Sequence, residues 1–374
     1  MKLKSKILYF FLLLSGFGGL AVWCAFTAIA ALKIVAWYVF FPLLIVGLAA
    51  SLYLGVIFHE VGHLVFGLIG GMKFRSLRVP FLCITDTGRG VKVSLKEKSS
   101  FLGSCEMFPT DRLPPSRGFV LEAFGGPAGS FAAMLISVLF LALAPYISVY
   151  PVILFGFAAP FLYVILLENS FPATVGGART DGGQICELLK KTPSSKVLVS
   201  VLSVQAHYSA GKRPREIPYE LLFEVPQIED TDPNYALLLN NRYLYALDRG
   251  DLNALKDAHM RIRDVLPRLP DVYAEQLSCD IFYDSLFLFP DDAFVKANCK
   301  AVFRRLDEDD DINSCRIRGY YYLRAGALDK AFAEIEKGRN VAGSYPLAGI
   351  AKTELDLLDE LEAAIARSSV NGEE

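Results

Sequence analysis

The segment from Ser51 to Gly71, SLYLGVIFHEVGHLVFGLIGG, sets His59, Glu60 and His63 in a run otherwise free of charge. Such a run reads as an apolar helix, and residues i and i+4 of a helix share one face. His59 and His63 can therefore aim their imidazoles at a single point. Two neutral imidazoles suit Zn²⁺, and an adjacent glutamate suits a water molecule that the metal activates. An acidic residue at the centre of a membrane helix costs about 2.5–3.5 kcal/mol on insertion scales, so an idle one is disfavoured. HExxH also arises by chance on soluble helices; the apolar setting argues against that here.

The surroundings are those of a membrane protein. Of 374 residues 53% are hydrophobic, the mean hydropathy is +0.36, and the excess lies almost entirely before Cys186. Beyond it the chain reads as a soluble domain. A net charge of −2 gives no sign of a nucleic-acid partner. Seven scattered cysteines without a CxxC fit reduced thiols facing a cytoplasm, and they make thiolate ligation of a metal a poor expectation.

Four spans are expected, at about 7–31, 43–70, 119–144 and 151–168, within a membrane domain of residues 1–190. The first follows a basic end, MKLKSK, and is too long for a signal peptide's apolar core. The 38 residues from Ile34 to Gly71 would form about 57 Å of helix, more than a bilayer core of about 30 Å needs, so a break is expected at Pro42. The loop 72–118 is rich in Lys and Arg, whereas the short connection at Pro145–Pro151 has neither. That asymmetry places the amino terminus, this loop and the carboxy-terminal domain inside. Within the loop, Leu77–Leu82 and Val91–Leu95 read as a β-hairpin around TDTGRG. Its edge can accept an unwound substrate strand or serve only as a packing flap. The third span opens with GGPAGSFAAML, a smooth surface for close helix approach. Glu122, near its start, reads as a solvated carboxylate. Residues 191–234 read as a linker. Residues 235–374 follow as helix–turn–helix units, with turns at Gly250–Leu255 and, 76 residues later, at Gly326–Phe332. A weaker unit lies between, at Pro290–Phe294. That interval reads as a tetratricopeptide-like repeat, a docking surface for a cytoplasmic protein partner.

A working zinc site needs three protein ligands and one open position. After His59 and His63, Asp181 is the fitting third ligand, because Gly182 and Gly183 let the backbone approach closely. Its plain alternative is a helix-capping aspartate, and Glu168 is the fallback ligand. Glu60 would take a proton from the attacking water and pass it to the leaving amine. Asn169 can hydrogen-bond substrate backbone or cap its own helix.

HEVGH in an early membrane helix, GGPAGS in the next and NSFP…DGG after the one following resemble the site-2 protease family of intramembrane zinc metalloproteases. The resemblance covers about Leu43 to Gly183. It implies a three-helix catalytic core in which His59, His63 and Asp181 bind zinc and Glu60 is the base. Asn169 and Pro172 would shape substrate access. It also implies cleavage of a membrane-anchored protein or peptide near the cytoplasmic end of its spanning helix. Ser130 stands where the family usually has Asn, the gap from Asn169 to Asp181 is longer than in the compact motif, and no PDZ-like segment is evident. The expected fold is thus an α-helical polytopic membrane protein with a small cytoplasmic β-hairpin and an all-α tetratricopeptide-like carboxy-terminal domain. The expected setting is a bacterial cell membrane. Because a helical substrate hides its carbonyls in its own hydrogen bonds, cleavage near Gly, Pro or Asn is expected. Two other classes remain in view. A catalytically silent scaffold recruiting partners would be free to lose Glu60 or Asp181, and both are present. A zinc transporter would want ligands along a path through several helices, whereas His207 and His259 both lie in the soluble part.

Overall fold

Long runs of Leu, Ile, Val and Phe can satisfy their backbone in lipid only as helix, and four such runs frame the first half of the chain. The computed structural model describes residues 3–86, 90–95, 103–110, 114–175, 178–269 and 271–371. It is mostly helical and divides into two compact units. The first comprises residues 1–85, 92–107 and 116–190; the second comprises 86–91, 108–115 and 191–374.

In the first unit α1 covers Leu3–Ala31, α2 Trp37–Ile69 and α3 Pro115–Ala142. The fourth span, Val149–Ser170, is a composite of α4 (Val149–Pro151), a π-turn (Val152–Gly156) and α5 (Ala159–Ser170). All four are long and apolar enough to cross a membrane. They leave Phe11, Phe26, Ile45, Phe131 and Phe161 exposed, an apolar surface suited to lipid. The expected break at Pro42 is absent: α2 starts at Trp37 and continues through the proline. Pro42 lies in its second turn, where the ring removes only the hydrogen bond to the Tyr38 carbonyl.

The π-turn was not legible in the sequence, yet its cause is. Pro160 has no N–H to give the carbonyl of Gly156, so the helix cannot pass through that point unaltered. Ser137 Oγ of α3 donates to the Gly156 carbonyl at 3.0 Å and also reaches that of Phe155, while Ser51 Oγ of α2 donates to Leu154 O at 3.1 Å. Hydroxyls on two neighbouring spans thereby satisfy carbonyls that lipid cannot. Phe40, Leu141, Val152, Ile153 and Phe157 close the core at this end.

Between α2 and α3 lie β1 (Lys73–Val79), β2 (Leu82–Asp86), β3 (Val91–Ser94) and β4 (Ser104–Phe108), in a sheet of order β3-β2-β1-β4. The single strand expected over 77–82 is two strands. β1 and β2 pair antiparallel, with Val79 opposite Leu82. Pro80 and Phe81 (φ +69°) make the turn, which Tyr53 of α2 pins by donating to the Pro80 carbonyl at 3.1 Å. Proline followed by a left-handed residue is the pattern of a type II turn, at a cost in strain because Phe has a Cβ. β2 and β3 are neighbours, and Thr87–Arg89 of the expected TDTGRG turn lie outside the described residues. After α5, β5 (Thr174–Val175) and β6 (Ala178–Arg179) pair antiparallel and lead into α6 (Asp181–Lys190).

The second unit is helical. The stretch expected as a linker, 191–234, instead contains α7 (Pro193–Ser209) and α8 (Tyr219–Phe223), and it buries Val204, Tyr208, Ile217 and Leu222 in the unit's core. Alternation of apolar side chains at helical spacing overrides the Pro- and Arg-rich composition there. The rest follows as α9 (Pro233–Arg249), α10 (Leu252–Val265), α11 (Asp271–Leu286), α12 (Asp292–Asp309), α13 (Ile312–Arg324), α14 (Leu328–Ala342) and α15 (Ala348–Asn371). Gly250 (φ +64°) and Gly326 (φ +71°) turn the chain between α9 and α10 and between α13 and α14, where a left-handed residue favours glycine.

Candidate metal centre

One turn of α2 carries the chemistry, and α3 shapes the space around it. A Cβ on Gly62 would overlap the Gly125 carbonyl, and one on Gly129 would overlap the Phe58 carbonyl, so only glycine permits this backbone contact. Gly126 sits where a Cβ would overlap Nε2 of His63 and crowd the His59 ring. The glycines of GGPAGS therefore do two things: they bring α3 against α2, and they keep open the space in front of both imidazoles.

His59, Glu60, His63 and Asp181 are 9, 6, 7 and 8% exposed. His59 Nε2 and His63 Nε2 lie 3.2 Å apart. Asp181 Oδ2 lies 3.4 Å from the first and 3.6 Å from the second. Donors about 2.0–2.1 Å from a tetrahedral ion stand roughly 3.3 Å from one another, so these three separations are those of three ligands around one small cation. The same Asp181 oxygen is buried without a hydrogen-bond partner, a costly arrangement that a cation relieves. Burial pushes the Asp181 carboxyl up to about 7. His59, His63 and Asp181 form the candidate metal group among the described residues.

The outer nitrogens are held as well. His63 Nδ1 lies 2.8 Å from the Glu122 carbonyl, which can only accept, so the proton sits on Nδ1 and the lone pair on Nε2 faces the cluster. The Glu122 carboxylate is 3.3 Å from the same nitrogen. Glu122 is thus half-buried against His63, not solvated as its place near the helix start suggested. His59 Nδ1 meets Ser130 Oγ at 2.8 Å. Neither partner stood out in the sequence as a site residue, because they lie 59 and 71 residues from the histidines they hold.

Asp181 reaches the site by local rules. Thr180 Oγ1 accepts from the N–H groups of Ala173 (3.1 Å) and Gly183 (3.2 Å) and donates to the Phe171 carbonyl at 2.7 Å. It caps α6 and clamps the β5–β6 hairpin together, leaving Asp181 as the first helical residue. Gly182 packs so closely that a Cβ would overlap the Ser170 carbonyl. The sequence signal for this, Thr-Asp-Gly-Gly, was read for its aspartate and not for its threonine.

Glu60 neighbours the pair on α2, and a Cβ on Gly103, just before β4, would come 2.5 Å from its Oε1. Asn169 is half-buried in the last turn of α5, where its amide donates to the Ile165 carbonyl at 3.0 Å. Pro172 and the fallback ligand Glu168 are exposed. Of the two soluble histidines, His259 is buried against Asp284 at 2.8 Å and His207 lies in the last turn of α7. In comparison with known proteins, no family model, curated protein or solved structure matches this chain.

Proposed function

We propose that this protein is an intramembrane zinc metalloendopeptidase that hydrolyses a peptide bond in or near the spanning helix of a membrane-anchored protein or peptide. The observation that carries the reading is the set of 3.2, 3.4 and 3.6 Å separations among His59, His63 and Asp181 beside an acidic residue on the same apolar helix. Two imidazoles and one carboxylate are a donor set that suits zinc. A zinc ion held there supplies Lewis acidity, which acidifies water and polarises a carbonyl.

The chain's own residues do the rest. Glu60 accepts the proton of the attacking water and returns it to the departing amine. The Glu122 carbonyl and Ser130 Oγ keep both imidazoles turned toward the cluster. Close packing of α3 on α2 excludes bulk water, which strengthens every charge interaction inside. Substrate must arrive unwound, since a helix offers no free carbonyl, and the edge of the four-stranded sheet gives a strand somewhere to pair. In this reading the helical pairs of the second unit form a tetratricopeptide-like docking domain on the cytoplasmic side.

The test is metal analysis of purified protein joined to cleavage of a reporter membrane helix. Glu60→Gln is expected to keep one zinc per chain and lose at least a thousandfold in rate. Asp181→Asn is expected to lose both zinc and cleavage. Cleavage at the parent rate by Glu60→Gln would overturn Glu60 as the base, and absence of cleavage by the parent protein would favour a scaffold.

A further inference from the structure

The second unit contains a groove of about 850 Å³ lined by α8, α9 and α10 and the loop that precedes α9. Its walls combine rings with cations. Tyr219 and Phe223 stack at 4.6 Å, and Tyr245 meets Phe223 edge-on at 5.6 Å. Arg242, Arg249 and Arg261 project along the same groove.

What sets these three arginines apart is what holds them. Arg242 Nε donates to the Leu222 carbonyl at 2.8 Å, and its guanidinium lies 5.3 Å from the Phe223 ring centre. Arg249 donates to the Tyr245 hydroxyl at 3.0 Å and Arg261 to the Tyr235 hydroxyl at 2.7 Å. Every one of these acceptors is neutral, and among the described residues none of the three guanidiniums pairs with a carboxylate. By contrast Arg213, Arg263, Arg316, Arg318, Arg324 and Arg339 of the same unit each pair with Asp or Glu. Asp230 and Asp264, near Arg261, are taken by Arg268. The two acidic residues on the groove itself do little to offset the charge: Asp251 caps α10 through the Ala254 N–H, and Asp257 is exposed. The groove is therefore a fixed positive surface with an apolar floor, oriented by neutral contacts that leave N–H donors free.

We propose that this groove binds an extended acidic segment of another protein, with two carboxylates three residues apart and an aromatic side chain between them. The spacing follows from the helix. Arg242 and Arg249 are two turns apart on α9, about 10.5 Å along its axis. In an extended polyproline II segment, with three residues per turn and a rise of about 3.1 Å, residues i and i+3 share a face about 9 Å apart, so Glu-x-x-Glu sets one carboxylate against each guanidinium. An aromatic residue between them lies over Phe223 and Tyr245. The adjacent phosphates of a nucleotide would need cations converging on one point, and a bilayer surface is flat where this site is concave.

The experiment uses the full chain in phosphatidylcholine nanodiscs and fluorescein-labelled nonapeptides with two Glu set two, three or four residues apart around a Phe, together with their Gln counterparts. Binding is read by fluorescence anisotropy. The three-residue spacing is expected to bind at least tenfold more tightly than its Gln counterpart, and raised salt is expected to weaken it. Arg249→Gln and Arg261→Gln, both exposed and with unchanged melting, are each expected to lose at least fivefold. Equal binding of Glu and Gln peptides, absence of binding by any Glu peptide, or indifference to both arginine variants would overturn the proposal. So would displacement of the peptide by ATP or by phosphatidylglycerol vesicles at matched charge.

Discussion

His59 and His63 owe their common aim to helix geometry, but both rings are held, and the tautomer of His63 is set, from another helix. A backbone carbonyl cannot donate, so Glu122 O forces the proton of His63 onto Nδ1 and leaves Nε2 free for a cation. Ser130 Oγ, which can donate or accept, holds the His59 ring at Nδ1 without fixing where the proton lies. Outer contacts of this kind orient ligand rings, and their loss costs about 10–100-fold in metal affinity. Ser130→Ala is therefore expected to lower zinc affinity by about that factor while leaving the fold intact, as measured by competition with a calibrated chelator. If zinc affinity were unchanged, Ser130 would be a packing residue and no more.

At the scale of elements, the fourth span shows how a membrane helix tolerates an interruption. Pro160 strands the Gly156 carbonyl, and the chain answers with a π-turn whose oxygens are met by Ser137 and Ser51. Interhelical hydrogen bonds in membranes average roughly 0.6 kcal/mol and reach about 1.7. Ser137→Ala removes the donor to the Gly156 carbonyl and to its Phe155 neighbour, and is expected to destabilise the protein by about 1 kcal/mol, near the upper part of that range. The check is the midpoint of denaturation in mixed detergent micelles, which should fall; an unchanged midpoint would mean that the two carbonyls need no partner. The smooth face of α3 works differently. Gly125, Gly126 and Gly129 have no side chain to bond with but set how near α3 comes, and so whether Ser130 and Glu122 reach the histidines at all.

At the scale of the molecule, the two units hide their ionisable groups by different means. The first gathers its buried acids and imidazoles at one prospective cation. The second buries a network in its core: Arg316 pairs with Glu354 at 2.6 Å, and Asp284 joins His259 and Tyr243, each at 2.8 Å. Asp280 lies in the same core. Burial pushes its carboxyl up from an ordinary value of 3.8 to about 8; Arg316 opposes that rise, while Asp284 and Glu354 add to it. A folded chain that keeps a proton which the unfolded chain releases loses stability as pH climbs between the two values, here from about 4 to about 8. Asp280→Asn removes that titration. It is expected to leave the melting temperature unchanged near pH 4 and to raise it by a few degrees at pH 8, measured by scanning fluorimetry of the full chain. An equal difference at both pH values would show a packing effect and not a protonic one.

Much of this architecture follows from the amino-acid sequence alone. Unbroken apolar runs must be helices in lipid, His59 and His63 at i and i+4 must share a face, and Gly250 and Gly326 mark turns because a left-handed residue favours glycine. Those are local constraints, each visible within a few residues. Tertiary structure alone decided that Glu122 and Ser130 meet the histidines, that Thr180 delivers Asp181, and that residues 191–234 belong to a folded core. Each depends on how helices distant in sequence approach one another. That approach is set by shape and by hydrogen bonds across scores of residues, which no periodicity or spacing rule can register.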